Sequence, residues 1–363
     1  MKKIILRLSI VTFTMGLLAF CVVSYFGAER ASAKDKPIVC RLGSVAPATS
    51  AWGTVAKDFK KRIEEASDGR LDIQLFLGGQ LGSEASMLQM VQMGTIEGAA
   101  VTVSAVAKIV PEMNIYELPF LFHDIDEART ITDYVIYPSL NEKLGEKKLF
   151  GSAMFENGFR NFITKKFIKT PSDLKGKLKF ASEESKIHIA FWNSLGAAAV
   201  PKPATELFVS LTRRVVDGAD NSILAIYALN LFTKTKRITE SEHIYQAAII
   251  VCNKDWWDSL PNDIRNTLLE HNLALAREMR VVTYSEIENV KRGLGATGVK
   301  FYKLTDEEKE PFIKKTKPVY KEFEGVVGKK LLKQVLDARE TYRSMKAEGK
   351  SKEEIIEKIK VKM

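Results

Sequence analysis

Between Ile38 and Val103, apolar runs of strand length alternate with segments of helical period, and this alternation restricts the fold more than any other feature. Ile38 to Gly43 predicts a first strand, followed by a turn through Ser44-Val45-Ala46-Pro47. A helix is expected from near Ser50, because Trp52, Val55, Phe59 and Ile63 recur at helical spacing and Asp68-Gly69 supplies a stop. Leu71, Ile73 and Leu75 alternate with polar residues, the pattern of a strand with one covered face. Ser83 is placed to cap a helix whose inner face is Met87, Leu88 and Val91, and a further apolar strand follows Gly94-Thr95-Ile96-Glu97. Strands alternating with helices imply an α/β lobe with a mainly parallel sheet. With 363 residues, 45% of them hydrophobic, the chain can bury two such lobes or one large domain.

Further along, Ile115 to Phe122 precedes a helix starting at Asp124 or Asp126, and Met154 to Arg160 reads as a segment crossing between lobes. Ser182, Glu183 and Glu184 are expected to open a helix, and Asp220 and Asn221 to stand at the start of another running from Ser222 to Phe232. Ile244 to Cys252 reads as a strand, and Pro261 to Gly293 as a long helix with proline in its first turn. Thr305 and Glu308 form a capping box for a helix ending near Gly325. The tail from Lys329 to Lys360 is amphipathic, and its stripe of Leu332, Val335, Leu336 and Tyr342 fits packing on its own lobe or on a second subunit. No internal repeat or Gly/Ser-rich linker occurs, which suits two lobes joined by crossing strands.

Lys2, Lys3 and Arg7 precede an uncharged apolar run from Leu8 to Phe26, and Ala31-Ser32-Ala33 offers a small-x-small cleavage site. This predicts a secretory signal peptide cleaved after Ala33 and a periplasmic mature chain. The run is close to spanning length, so an uncleaved anchor is the alternative. Four basic residues (Lys2, Lys3, Arg7, Arg30) and one acidic (Glu29) give the leader +3 of the total +10, leaving the mature chain +7. Its lysines are interspersed with acids, which excludes a nucleic-acid footprint. Cys21 leaves with the leader, and Cys40 and Cys252 lie in apolar runs where two buried free thiols are favoured over a disulfide. His123-Asp124-Ile125-Asp126-Glu127 reads as an acid-rich helix start in preference to a metal cluster, His188, His243 and His271 have no ligand partners at metal spacing, Gly78 to Ser83 lacks the Gly-Lys-Ser/Thr of a phosphate loop, and no nucleophile elbow occurs. No metal, cofactor or enzymatic activity is expected.

Seven segments carry a resemblance when taken in order and spacing: Phe76 to Gly82 (F-L-G-G-Q-L-G), Gly94 to Glu97 (G-T-I-E), Leu118 to Phe122 (L-P-F-L-F), Asn157 to Arg160 (N-G-F-R), Lys169 to Gly176, Val216 to Gly218 (V-D-G) and Trp257 to Pro261 (W-D-S-L-P). Together they resemble the DctP-type solute-binding proteins of TRAP transporters. The resemblance implies a two-lobed, periplasmic-binding-protein-like α/β fold with a central cleft, crossing strands as hinge and long C-terminal helices. On this reading 1–33 is the leader, 34–157 with 246–290 is lobe I, and 158–245 with 291–363 is lobe II. The implied function is capture of a small organic acid by lobe closure and its delivery to a small and a large membrane subunit (DctQ- and DctM-like). A sensor of the same fold reporting to a membrane receptor is the alternative, and monomer and dimer both stand.

The family's strand after D-L-K-G usually carries an arginine that grips a solute carboxylate. Here that strand reads Lys177-Leu178-Lys179-Phe180-Ala181, with no arginine. Straight counting puts Phe180 at the anchor and a slip of one puts Ala181 there; Phe180 is either an aromatic cleft wall or core. Arg160 matches a second family arginine and is either a solute ligand or part of a structural ion pair. Asn221 matches a family asparagine that hydrogen-bonds the solute and also fits a helix cap, with Asp220 beside it. Ser182, Glu183 and Glu184 suit a hydroxylated or cationic group, or a solvated first turn. Trp52 and Phe155 line the lobe I side of the cleft or pack internally.

Overall fold

A computed structural model describes residues 36–176, 178–182, 185–202 and 206–361. The leader, Glu183 and Glu184 fall outside the described residues. Among the described residues nine strands form one sheet: β1 Ile38–Ser44, β2 Leu71–Phe76, β3 Gly98–Thr102, β4 Leu149–Thr164, β5 Lys179–Ser182, β6 Ala198–Pro201, β7 Gly218–Ser222, β8 Arg237–Asn253 and β9 Lys300–Lys303. Their order is β2-β1-β3-β8-β4-β7-β5-β6, with β9 paired to β8. The outer triplets are parallel, β1 with β2 and β3, and β5 with β6 and β7, as the strand–helix alternation predicts. The two central strands depart from it. β4 and β8, 16 and 17 residues long, run antiparallel to each other and to their neighbours β7 and β3.

These two strands make the molecule two-lobed. Residues 149–156 of β4 pair with 247–253 of β8, which lies beside β3. Residues 159–164 of β4 pair with 237–245 of β8, beside β7 and β9. The register shifts between Glu156 and Phe159, where β4 advances three residues while β8 advances two, from Ala247 to Tyr245. The extra residue makes a bulge, which bends a strand and raises its twist. Gly158 adopts φ +84° there, and a Cβ on it would lie 2.9 Å from Ile287 Cδ1 of the long helix Asn262–Ala296, so glycine is required twice over.

Local chemistry sets the helices. Ser50 caps Ala51–Ala66 by accepting from the Gly53 amide at 3.1 Å, and Val55, Phe59 and Ile63 form its buried stripe against the β1–β2 side of the sheet. Burying a side chain such as Ile63 is worth about 1.5–3 kcal/mol. Helix Asp306–Val327 opens with the expected Thr305/Glu308 capping box and ends at Gly328. The tail divides where Gly349 takes φ +74°, giving Lys329–Ala347 and Lys352–Ile359, the second with its own capping box at Ser351. Its apolar stripe is covered by its own chain: Leu332, Val335 and Tyr342 share a core with Leu121, Ile131 and Val135. Phe312 of Asp306–Val327 belongs to a second core with Phe120, Phe162 and Trp192, so the C-terminal helices reach both.

Three expectations are corrected. Ser182 ends β5 instead of opening a helix, because its register with Pro201 extends the parallel ladder; the helix is Lys186–Ser194. Asp220 and Asn221 lie in β7, paired with Phe162 and Asn161, and Ser222 is the helix cap. The helix that follows stops at Ala228, and Asn230 turns left-handed at φ +54°.

Cys40 and Cys252 are buried free thiols. β3 stands between their strands, with Gly98 paired to both Leu42 and Cys252. Two strand spacings amount to about 10 Å, beyond the roughly 7 Å that a disulfide tolerates between Cα atoms. Burial pushes the Cys252 thiol up to about 12 and raises Cys40 well above the usual thiol range. Both should resist alkylation at pH 8 and react only as fast as the chain unfolds. Rapid labelling of the folded protein would contradict the packing.

Candidate functional site

β4, β7 and β8 and the helix Lys186–Ser194 bring four polar side chains together in the lobe beyond the bulge. Asp220 Oδ2 is the centre. Arg160 Nε donates to it at 2.7 Å, and His188 Nε2 and His243 Nε2 each stand at 3.0 Å. Arg160 also donates through NH2 to the Asp220 carbonyl at 2.8 Å, so its guanidinium holds both backbone and side chain of one residue. Ser241 Oγ lies 2.7 Å from His243 Nδ1 and fixes the far side of that ring. Arg160 is 4% exposed, Asp220 1%, and both histidines 0%. Asp220 Oδ1 is buried with no hydrogen-bond partner among the described residues.

The backbone pays attention to this cluster through two left-handed residues. β8 slips against β4 between Arg160 and Phe162, and Glu242 takes φ +50° in the slip, turning Ser241 and His243 inward. Phe120, at φ +53°, donates its amide to the His243 carbonyl at 2.6 Å. Non-glycine residues in this region cost on the order of 1–3 kcal/mol and persist only where the surroundings enforce them. Lys309 and Lys303 hold the Glu242 carboxylate at 2.7 and 3.2 Å.

Burial favours the neutral form of Asp220, but the Arg160 charge and the two imidazoles outweigh it and hold the carboxyl well below its usual range. Burial lowers His243 to about 4, with Asp220 opposing only part of the effect. At neutral pH, His243 is therefore an uncharged ring. It lies between Phe162, with centroids 4.6 Å apart and planes at 22°, and Phe191 at 4.8 Å and 3°. His188, Asp220 and His243 each offer a ligand atom within 4.8 Å of the others. A divalent cation there would abut Arg160, whose guanidinium already neutralises the Asp220 carboxylate, so the cluster balances its charge without one.

Phe180 is 1% exposed and stacks on Trp192 with centroids 4.3 Å apart and planes at 18°. Its ring explains the glycine of V-D-G. A Cβ on Gly218 would meet Phe180 Cε1 at 2.6 Å and Thr164 Cγ2 at 2.7 Å. Gly218→Ala should therefore lower stability by about 1–3 kcal/mol, as overpacking does, in a denaturant titration. An unchanged midpoint would show that the Phe180 ring can move aside.

Arg160, Asp220 and Asn221 thus come together on adjacent strands, with Phe180 and Ser182 on β5 one strand further out. The Asn221 side-chain oxygen accepts from the Ser222 amide at 2.9 Å. Trp52 and Phe155 form a separate pair in the other lobe, edge to face at 4.8 Å, with Trp52 Nε1 donating to Thr283 Oγ1 at 2.9 Å. His188 and His243 are the residues that spacing did not reveal, since 55 positions separate them. For His188 the available signal was placement in an apolar stretch, I-H-I-A-F-W, where a buried imidazole needs a partner; His243, after Ser241 and Glu242, had no such signal.

Residues 42–325 match the family model described as bacterial extracellular solute-binding protein, family 7 (DctP). A solute-binding protein of Verminephrobacter eiseniae is 30% identical over 290 residues, covering 79% of this chain and 85% of that one. A TRAP periplasmic solute-binding protein of Ochrobactrum anthropi superposes with a TM-score of 0.81 at 25% identity, over 86% of this chain and 98% of the other. The sugar acid binding protein of Advenella mimigardefordensis, solved with galactonate, has a TM-score of 0.78 at 28% identity, over 84% and 98%. Among the described residues no helix is long and apolar enough to cross a membrane. A two-lobed sheet with shared central strands, a buried cluster centred on Asp220 beside the crossing, and a family match over most of the chain agree, and the chain belongs to the DctP family of TRAP solute-binding proteins.

Proposed function

We propose that this chain is the periplasmic solute-binding subunit of a TRAP importer that captures a small organic acid by lobe closure and passes it to a small and a large membrane subunit. The reading is supported most by the placement of Arg160, Asp220 and Asn221 on β4 and β7 just beyond the bulge, where a cleft between the lobes would open. The lobe boundary is set at that bulge: 34–157 with 246–290 on one side, 158–245 on the other. Segment 291–363 is assigned to the second lobe, with its helices reaching across.

Arg160 and Asn221 are the proposed solute contacts. Asp220 holds the guanidinium in place, as buried carboxylates do for bidentate arginines. Its second oxygen, buried and unpartnered among the described residues, is an acceptor suited to a solute hydroxyl. An acidic, hydroxylated solute satisfies both groups, which fits the galactonate held by the Advenella relative. Phe180, Trp52 and Phe155 supply the apolar frame, and Ser182 stands beside it at the end of β5. The protein does no chemistry on its solute in this scheme.

Closure is the test. Small-angle scattering of the ligand-stripped mature protein should show the radius of gyration fall when a bound hydroxy acid is added. A solute that binds without compaction would remove capture by closure.

A further inference from the structure

A second charge cluster, around the buried Glu156, lies at the bulge itself, apart from the proposed solute contacts. Glu156 is 1% exposed and accepts from Tyr245 Oη and from Arg129 Nε, both at 3.0 Å, with Arg129 NH2 adding a further bond. Arg280 of the long helix stands 3.4 Å from Glu156 through Nε, an ion-pair separation without hydrogen-bond geometry. Its two outer nitrogens are bidentate on Asp133 at 2.6 and 2.7 Å, and one also donates to the Met154 carbonyl at 3.0 Å. Arg129 donates to the Arg280 carbonyl at 3.1 Å and closes the ring of contacts. Two arginines and two carboxylates leave no net charge.

The placement is specific to the crossing point. Glu156 and Tyr245 flank the bulge on the two strands that both lobes share. Asp133 sits in a π-turn, Thr132–Ile136, a local widening that re-aims side chains and is frequent at functional positions. Arg280 is mid-helix between Glu278, paired to Arg62 of the first lobe at 2.5 Å, and Lys291, paired to Glu240 of the second at 2.7 Å. Ile287, two turns on, fills the space left by Gly158. The long helix therefore spans both lobes and is pinned to β4 beside the bulge between Glu156 and Phe159.

We propose that Glu156, Arg280, Arg129 and Asp133 form a hinge clamp: positioning residues that set solute affinity without touching solute, by fixing the helix to the bulge and so limiting the lobe orientations to be lost on closure. This rests on the capture-by-closure reading. A hinge with fewer accessible angles has less conformational entropy to lose when the solute is bound. Strand bulges alone do not restrict a hinge in this way; an arginine bidentate on Asp133 and bonded to the Met154 carbonyl of β4 does.

Hydrogen exchange on the solute-free mature chain tests the clamp directly. In Glu156→Gln, the amides of Asn157 to Phe159 and of Tyr245 and Gln246 should exchange about tenfold faster or more, while those of β1 and β7 keep their rates. Tyr245→Phe, which removes one donor and keeps the ring, should show the same pattern at smaller amplitude. Val55→Ala, which thins a core away from the bulge, should leave the hinge amides unchanged relative to the rest. D-galactonate affinity should fall about tenfold in Glu156→Gln and not in Val55→Ala. Hinge amides that keep wild-type rates in both clamp variants overturn the proposal. Failure of the wild type to bind galactonate would count against the solute reading alone, since the exchange pattern is read without solute.

Discussion

Replacing Arg160 with alanine should lower stability by about 3–5 kcal/mol, because it leaves the buried Asp220 carboxylate without its permanent counter-charge. The imidazoles of His188 and His243 remain beside it as hydrogen-bond partners, and at 1% exposure the carboxylate is little screened by water. Asp220→Ala should be costly for the reciprocal reason. The double variant should cost less than the sum of the singles, since each single strands a charge that the double removes. Chemical denaturation of all four proteins gives the cycle. Single variants that each cost under about 1 kcal/mol, with additive behaviour, would show a pair exposed enough to be screened.

Acid should undo the same cluster. The folded state holds His243 near 4 against about 6.5 in the unfolded chain, so it favours the neutral ring. Stability from this residue is complete above about pH 6.5 and is lost as pH falls towards 4, where the folded ring protonates as well. A shift of that size corresponds to about 3 kcal/mol. Asp220, held below its ordinary value, adds a second loss at still lower pH, as the unfolded carboxyl takes up a proton before the folded one. Denaturation midpoints measured from pH 7.5 to 4 should fall, and His243→Gln should flatten the pH 6.5 to 4 limb. A wild-type profile that stays flat over that interval would mean the ring titrates normally.

The extent to which the sequence disclosed this molecule follows the range of the interactions involved. Local signals were sufficient for Ser50, Ser83 and Thr305, since a cap and the first apolar turn lie within a few residues of each other. The parallel outer triplets follow from the same short-range alternation. Ser182 does not open a helix because a parallel neighbour 20 residues away, Lys202, donates its amide to the Ser182 carbonyl, which local propensity cannot register. Asp220 and Asn221 were placed one element too late for the same reason, since their partners Phe162 and Asn161 lie nearly 60 residues earlier. The lengths of β4 and β8 were also underestimated. In β8 only Ile244 to Cys252 has the apolar signature of a buried strand, while R-I-T-E-S-E ahead of it and N-F-I-T at the end of β4 carry polar residues that mask their pairing.

The site was half legible. Sequence position singles out Arg160 and Asp220 of the buried cluster, but no ligand spacing points to the histidines that complete it. Convergence on one carboxylate oxygen is a tertiary property, and no window of sequence contains it. The absence of an arginine from β5, where the resemblance would place one, fits its packing. Phe180 occupies a stacked position on Trp192 that presses on Gly218, so this strand contributes packing where a guanidinium would need a polar lining.

The central claim is that the protein holds an organic anion through Arg160, with Asp220 keeping the guanidinium in position. Calorimetric titration of the refolded, ligand-stripped mature chain with D-galactonate and with its neutral primary amide puts this to the test. The account predicts saturable binding of the carboxylate and a loss of at least about tenfold for the amide, the least that removing a charge-assisted pair should cost. Equal affinity for the two, or preference for the amide, would contradict it and point to recognition by neutral hydrogen bonds alone.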